Sequence, residues 1–296
     1  MEDETGQKEQ ESVDTAEGSD DAEAKDDAQA IDQASAPSDS LWYRRARTAA
    51  LVLAVTLVLW LLFTWITWPD VAALREDDPR TTAFIEMYGE ARRDAGESDA
   101  VAWQFVPYDR ISVNLKRAVV ASEDTEFFFH DGFSTHEVKE ALKKAIREGE
   151  APRGASTITQ QVAKNLWLTP RRSLTRKLRE AILTRQLEKH LSKQRILDLH
   201  LNIAEFGPGI YGAEAASRHY FGIPASDLSP RQGAMLAAGL PRPKRWNPAS
   251  DGQHYRASVE RILNVQKQLQ YLDSYIGSSE PGAIGVRPPQ VPAPAP

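Results

Sequence analysis

Glu123 and Asp124 stand side by side at the head of three consecutive phenylalanines in the stretch VVASEDTEFFFHDGF, with His130 and Gly132 close behind. A carboxylate beside apolar rings holds its proton more tightly than one in water, and raised basicity is what a general base needs. The same residues admit another reading, in which Ser122 caps a helix N-terminus, the acids favour the positive end of its dipole, and the phenylalanines are core. A second run, GASTITQQVAKN, sets Ser156, Thr157, Thr159, Gln160 and Gln161 ahead of Lys164. So many neutral hydrogen-bonding groups could read hydroxyls or phosphate oxygens, or could start a solvated helix capped by Ser156 or Thr157. A third run, RRSLTRKLREAI, gathers Arg171, Arg172, Arg176, Lys177 and Arg179 ahead of Glu180. On a helix Arg176 and Lys177 lie four and three residues before Glu180, so one acid faces two cations. That is either a salt-bridged surface helix or a place to receive a pyrophosphate and its metal ion.

Helices must position these groups. Leu174, Leu178, Ile182 and then Leu183, Leu187, Leu191 recur at four-residue spacing, with Arg and Lys expected on the opposite face. SKQRILDLHLNIAEF continues the pattern, and SPRQGAMLAAGLPRP predicts a helix with Pro230 in its first turn and Gly239 with Pro241 at its stop. Alternating strand patterns are nearly absent, so the expected fold class is all-α, for one domain over residues 80–275. Between the first two runs, STHEVKEALKKAIREGEAPR is charged and expected to be a mobile flap over a cleft.

The 296 residues are 41% hydrophobic, ample for a packed core. The net charge of −6 is segregated: residues 1–40 carry 14 acidic and 2 basic side chains, and the rest carry 28 acidic and 34 basic. Residues 1–40, with no aromatic ring, are expected to be a disordered acidic tail, and the Pro-rich residues 276–296 a second extended one. The mildly basic remainder suits an anionic membrane face or a phosphate-bearing ligand and is too weakly charged to indicate nucleic acid. With no cysteine, disulfides, zinc-thiolate sites and cysteine nucleophiles are excluded. From Ala49 to Trp68 twenty residues pass without a charge, about 30 Å as a helix, which predicts a transmembrane span over 49–68. Trp42, Tyr43, Trp65 and Trp68 suit its two interfaces, and Arg44, Arg45 and Arg47 on its N-terminal flank predict a cytoplasmic N-terminus and a translocated domain. Forty residues precede the apolar run, which argues against a cleaved signal peptide.

Taken together, the runs carry a resemblance. EDTEFFFHDG, GASTITQQVAKN, RKLRE and KQRILDLHLN stand in the order and approximate spacing of the first four signature motifs of the peptidoglycan glycosyltransferases, the polymerising domain of penicillin-binding proteins. YRASVERIL, Tyr255 to Leu263, is similar to the fifth, and NIAEFGPGIYGAEAASRHYFG looks most like the monofunctional members. The resemblance covers roughly residues 100–265. It implies an all-α, lysozyme-like glycosyltransferase domain behind a single N-terminal transmembrane helix, on the outer face of the cytoplasmic membrane. Such a domain polymerises the lipid-linked disaccharide-pentapeptide, lipid II, into β-1,4 glycan strands and releases undecaprenyl diphosphate.

By the same resemblance, Glu123 is the general base on the acceptor's 4-hydroxyl and Glu180 the motif-three glutamate near the donor's pyrophosphate. Lys164, Arg172 and Lys177 match cations that neutralise the leaving group, and Ser156 and Gln161 match polar contacts in the cleft. A divalent cation, Mg²⁺, is expected to share the diphosphate charge with Glu180. Expected partners are lipid II, the growing glycan chain, the membrane, and proteins of the division or elongation machinery, with no nucleic acid. His200 departs from the family by standing where motif four usually has tyrosine. Gln232-Gly233 departs by interrupting a helix that usually carries an acid there. Both put local packing in question. His130 matches the family's histidine, with a structural hydrogen-bonding role expected. A lysozyme-like muramidase would need neither the cation strip nor an anchor, and a non-catalytic scaffold would not need acids in both motifs. A bifunctional protein would need a Ser-x-x-Lys motif, which the chain lacks.

Overall fold

The computed structural model describes residues 39–134, 156–171 and 173–277. Most of the acidic tail, the expected flap from residue 135 onward, Arg172 and the Pro-rich tail from residue 278 lie outside the described residues. The chain divides into two compact units between Trp68 and Pro69. In the first, α1 (Asp39–Ile66) runs for 28 residues, about 42 Å at the usual helical rise. Its described apolar side chains, Leu53 and Leu59 among them, are exposed. Among the described residues, no helix is long and apolar enough to cross a membrane. Part of the expected span, at Leu61 and residues 64–66, lies outside the residues whose side chains are described.

In the second unit most helices begin on a hydroxyl. Thr82 caps α2 (Ala83–Asp94), Ser112 caps α3 (Val113–Glu123), Thr157 caps α4 (Ile158–Trp167), Ser173 caps α5 (Leu174–His190) and Ser192 caps α6 (Lys193–Ile203). Each side-chain oxygen accepts an N–H that the helix cannot satisfy itself, which stabilises its first turn by about 1 kcal/mol. A short ribbon follows: β1 (Ala102–Trp103) pairs parallel with β3 (Ile210–Tyr211), and β2 (Glu205–Gly207) pairs antiparallel with β3, in the order β1-β3-β2. The domain is thus mostly helical, and the all-α expectation needs this one correction. Strands of two or three residues are too short to print an alternating pattern in the sequence. Helices α7 (Ala213–Phe221), α8 (Pro230–Gly239), α9 (Gln253–Gln268) and α10 (Asp273–Gly277) complete the unit.

Helix α3 lies at the centre, with Leu115, Ala118, Val119 and Val120 fully buried and α8, α9 and α10 packed around it. α4 lies against α2, α5 and α6. On α6, Asn202 ties the helix to the segment that follows β1: its amide donates to Val106 O at 3.0 Å and accepts from Val106 N at 3.0 Å, and it also donates to the Asp198 carboxylate at 2.9 Å. The expected interruption at Gln232-Gly233 does not occur. Gln232 closes a capping box with Ser229, and Gly233 is the point at which α8 meets α3. A Cβ there would lie 3.0 Å from three backbone atoms of Asn114 and Leu115, so the missing side chain is what permits the close approach.

The six leucine-type residues of α5 and its C-cap, Leu191, do not form one face. Leu183, Leu187 and Leu191 are buried, whereas Leu174, Leu178 and Ile182 are 91%, 64% and 42% exposed. At about 100° per residue, Leu183 is nine residues and half a revolution from Leu174, so the two triplets look in different directions. Glu180 shares the inward face, one turn before Leu183 and Thr184.

Replacing Gly233 with valine wedges two branches into that backbone contact. It is expected to cost about 2 kcal/mol or more, read as a lowered midpoint in thermal unfolding of the detergent-solubilised protein. Gly252→Ala, where an added Cβ meets nothing within 4 Å, is expected to leave the midpoint nearly unchanged.

Candidate active site

The opening acids lie at the C-terminal end of α3, so the reading of Ser122 as an N-cap is overturned. Ser122 instead donates to Val119 O at 3.2 Å, back along its own helix. Glu123 is the last residue of α3 and Asp124 its C-cap, where the dipole disfavours negative charge. Asp124, 1% exposed, serves another helix: its carboxylate accepts the Ile158 N–H at the start of α4 at 3.1 Å and the His130 Nε2–H at 2.9 Å. The Gly132 N–H donates to His130 Nδ1 at 3.0 Å, which assigns the ring proton to Nε2 and the residue to a structural role. The Thr157 hydroxyl closes the loop by donating to Gly132 O at 2.8 Å. The phenylalanines pack beyond this clamp: Phe127, fully buried, against Phe128 and His130, and Phe128 and Phe129 against Tyr275.

The clamp sets the end of α3 against the first turn of α4. There Gln161 Nε2 donates to Glu123 Oε2 at 2.8 Å and, more loosely, to Ser156 O at 3.4 Å. Gln161 Oε1 faces His200 Nε2 at 3.3 Å. Glu123 is half-buried, and burial pushes its carboxyl above the ordinary carboxylate value; Gln161 and Lys164 pull it down, and Asp124 pushes it up again. Of the polar run, Thr157 caps α4, Thr159 donates to Glu188 at 2.5 Å, and Gln160 completes a capping box, so these three belong to the frame. Ser156 is exposed beside Gln161, with its carbonyl as the recorded contact.

Glu180 is 3% exposed and engaged on both oxygens, by Arg176 Nη1 at 2.7 Å and by Lys177 Nζ. A buried carboxylate stays charged only with such partners. Lys164, one turn after Gln161 on α4, links the two acids. Burial lowers its ammonium below the ordinary lysine value, Glu180 and Glu123 both act to raise it, and Arg176 and Lys177 act to lower it. Its Nζ also lies 5.9 Å from the centre of the Phe84 ring. The structure therefore brings Glu123 and Gln161 into contact, pairs Glu180 with Lys177, and couples Lys164 electrostatically to both acids. Arg172 lies outside the described residues. Arg176, Asp124 and His200 were not among the site residues expected from sequence. Arg176 had a signal in its four-residue offset from Glu180, whereas His200 is 39 residues from Gln161 and only the fold brings them together.

Among the described residues, no group of three or more His, Asp or Glu side chains could hold a metal ion. Both oxygens of Glu180 already face cations, so this donor set does not fit a magnesium ion held by protein groups alone.

The chain matches the family model described as Transglycosylase over residues 92–268. Three similar proteins carry the name biosynthetic peptidoglycan transglycosylase. That of Thiobacillus denitrificans is 47% identical over 229 residues, which cover 77% of this chain and 94% of the relative. That of Bordetella avium is 44% identical over 232 residues, 77% of this chain and 95% of the relative. That of Azoarcus sp. is 42% identical over 221 residues, 75% of this chain and 93% of the relative.

Because the fold raises the affinity of Glu123 for its proton, folding is favoured while that carboxyl is protonated, and the contribution is lost as pH rises through the folded-state value. Glu123→Gln keeps an acceptor for Gln161 and carries no charge. It is expected to melt higher than the parent at neutral pH, with the difference shrinking as the pH is lowered; calorimetry across a pH series measures it.

Proposed function

The chain belongs to the transglycosylase family, and from that premise we infer how its cleft works. It is a peptidoglycan glycosyltransferase of cell-wall synthesis, with lipid II and the growing glycan chain as its substrates. In our reading Glu123 takes the proton from the acceptor's 4-hydroxyl as that oxygen attacks the anomeric carbon of the donor. The new β-1,4 bond forms as the bond to the diphosphate breaks, and undecaprenyl diphosphate leaves with the electron pair. A single inverting displacement needs a base and a stabilised leaving group, with no enzyme nucleophile.

The observation that carries the reading is the end of α3 set against α4, where Gln161 donates to Glu123 at 2.8 Å, with Glu180 on α5 held by Arg176 and Lys177. Lys164, one turn after Gln161, acts electrostatically on both acids. Lys164, Lys177 and, by resemblance, Arg172 would meet the diphosphate, and Ser156 would meet polar groups of the substrate. Mg²⁺ enters this proposal only as a companion of the diphosphate, taking its ligands from phosphate oxygens and water, because Glu180 is occupied.

A membrane belongs to the same reading, since both substrates are lipid-linked. We place α1 as a single-pass anchor with a cytoplasmic N-terminus, and the second unit on the outer face of the cytoplasmic membrane. The uncharged stretch from Ala49 to Trp68 supports this, as does the exposed triplet Leu174, Leu178 and Ile182 on a helix rich in Arg and Lys. Division or elongation proteins are proposed as partners without an assigned surface.

The test is polymerisation of purified lipid II by the detergent-solubilised full chain, with strands resolved on a gel. Glu123→Gln, still folded, is expected to lose activity by roughly 100-fold or more, the usual scale of a general base. A folded variant with parental activity would remove Glu123 from the chemistry.

A further inference from the structure

His200 is a buried polar ring for which packing alone gives no reason. It is 1% exposed on α6, and its Nδ1 is a buried acceptor with no hydrogen-bond partner among the described residues. An apolar ring of similar volume would fill the space without stranding that nitrogen. The one partnered atom is Nε2, and it meets Gln161 Oε1 at 3.3 Å.

We propose that His200 is a positioning residue for the general base: its Nε2–H holds the Gln161 amide in the orientation that presents an N–H to Glu123. The geometry explains why a holder is needed. Gln161 uses its whole amide, with Nε2 donating to Glu123 Oε2 and Ser156 O and Oε1 accepting from His200. A flipped amide would set its oxygen against a carboxylate and a carbonyl, and would turn an N–H toward His200, which the ring could accept only by moving its own proton onto the unpartnered, buried Nδ1. Without the donor on α6, only the Glu123 end resists, and the amide can rotate out of line.

Burial, aided by Lys164, pushes the His200 ring down to about 4, so the ring is neutral through the physiological range. Its single proton sits on Nε2 because a carbonyl oxygen faces that atom. Lys164 is the charged side chain that acts on both His200 and Glu123, and Asp124 adjoins Glu123 in the chain. Neither depends on the amide's orientation, so a change at His200 reaches Glu123 through Gln161.

This proposal rests on Glu123 acting as the base, and the test keeps the two apart. Initial rates of lipid II polymerisation are measured against pH and substrate concentration for the full chain, Glu123→Gln, His200→Phe and His200→Gln. His200→Phe removes the donor and keeps the volume. It is expected to lower kcat roughly tenfold, as one weakened hydrogen bond to a charged group would. KM is expected to change less than kcat, since the Gln161 amide is held here for its bond to Glu123 and the other cleft contacts, Ser156, Lys164 and Lys177, are left in place. The acid limb of the pH profile is expected to move to higher pH, because the bond from Gln161 holds the Glu123 carboxyl down. His200→Gln sets an amide N–H where Nε2 lies and is expected to restore both kcat and the acid limb. A folded His200→Phe with parental kcat and acid limb overturns the proposal, as does a folded His200→Gln that has lost both. Retained activity in Glu123→Gln would instead sink the base assignment itself.

Discussion

The carboxylate of Asp124 is the joint on which the site depends. It ends α3, begins α4 through the Ile158 N–H, and holds His130, whose other nitrogen is held by Gly132. Two helices that meet end to start, with their polar groups shared, cannot slide independently. Glu123 is one residue from that joint on one side and Gln161 three residues past Ile158 on the other. Their 2.8 Å contact is therefore a consequence of the joint rather than an independent achievement of two flexible side chains. A buried acid with both its oxygens engaged fixes position at the expense of tolerance, because removing it would leave buried donors unpaired.

Two opposing fields then act on neighbouring acids. Glu123 sits at the negative end of α3 and is partly withdrawn from water, and both effects raise its affinity for a proton. Glu180 sits on the inward face of α5 and is held by Arg176 and Lys177. Two carboxylates of like chemistry are thereby set in different surroundings, one in which proton binding is favoured and one held between two cations. Lys164 moderates the contrast, since its charge favours the ionised form of Glu123.

Much of this was legible in the sequence where a periodic rule applied. The three-and-four spacing of Lys177 and Arg176 to Glu180, the helix over Pro230–Gly239 and the cap at Thr157, one of the two offered, follow from local geometry and capping, and the structure has them. The end of α3 was not legible, because two acids after a serine read equally well as a helix start. Direction along a helix is settled by which neighbours complete the hydrogen bonds, and here the partner was Ile158, 34 residues onward. The link from His200 to Gln161 was invisible for the same reason. Gly233 misled in another way: glycine reads as a break when its missing side chain is in fact making room for a second backbone.

Helix α5 shows how one element can meet three demands with two faces. Leu183 and Leu187 bind it to the core, Glu180 on the same side gathers cations, and Leu174, Leu178 and Ile182 are left looking outward. A soluble domain gains nothing from three exposed aliphatic side chains on successive turns, and a single four-residue row would have buried them with the rest. The rotation between the two rows therefore keeps Glu180 and its cations with the packed row and leaves an apolar row outside. A diphosphate on a lipid tail has that same division, with charge at one end and hydrocarbon at the other. The helix matches the substrate class in the order of its surfaces as well as in its residues.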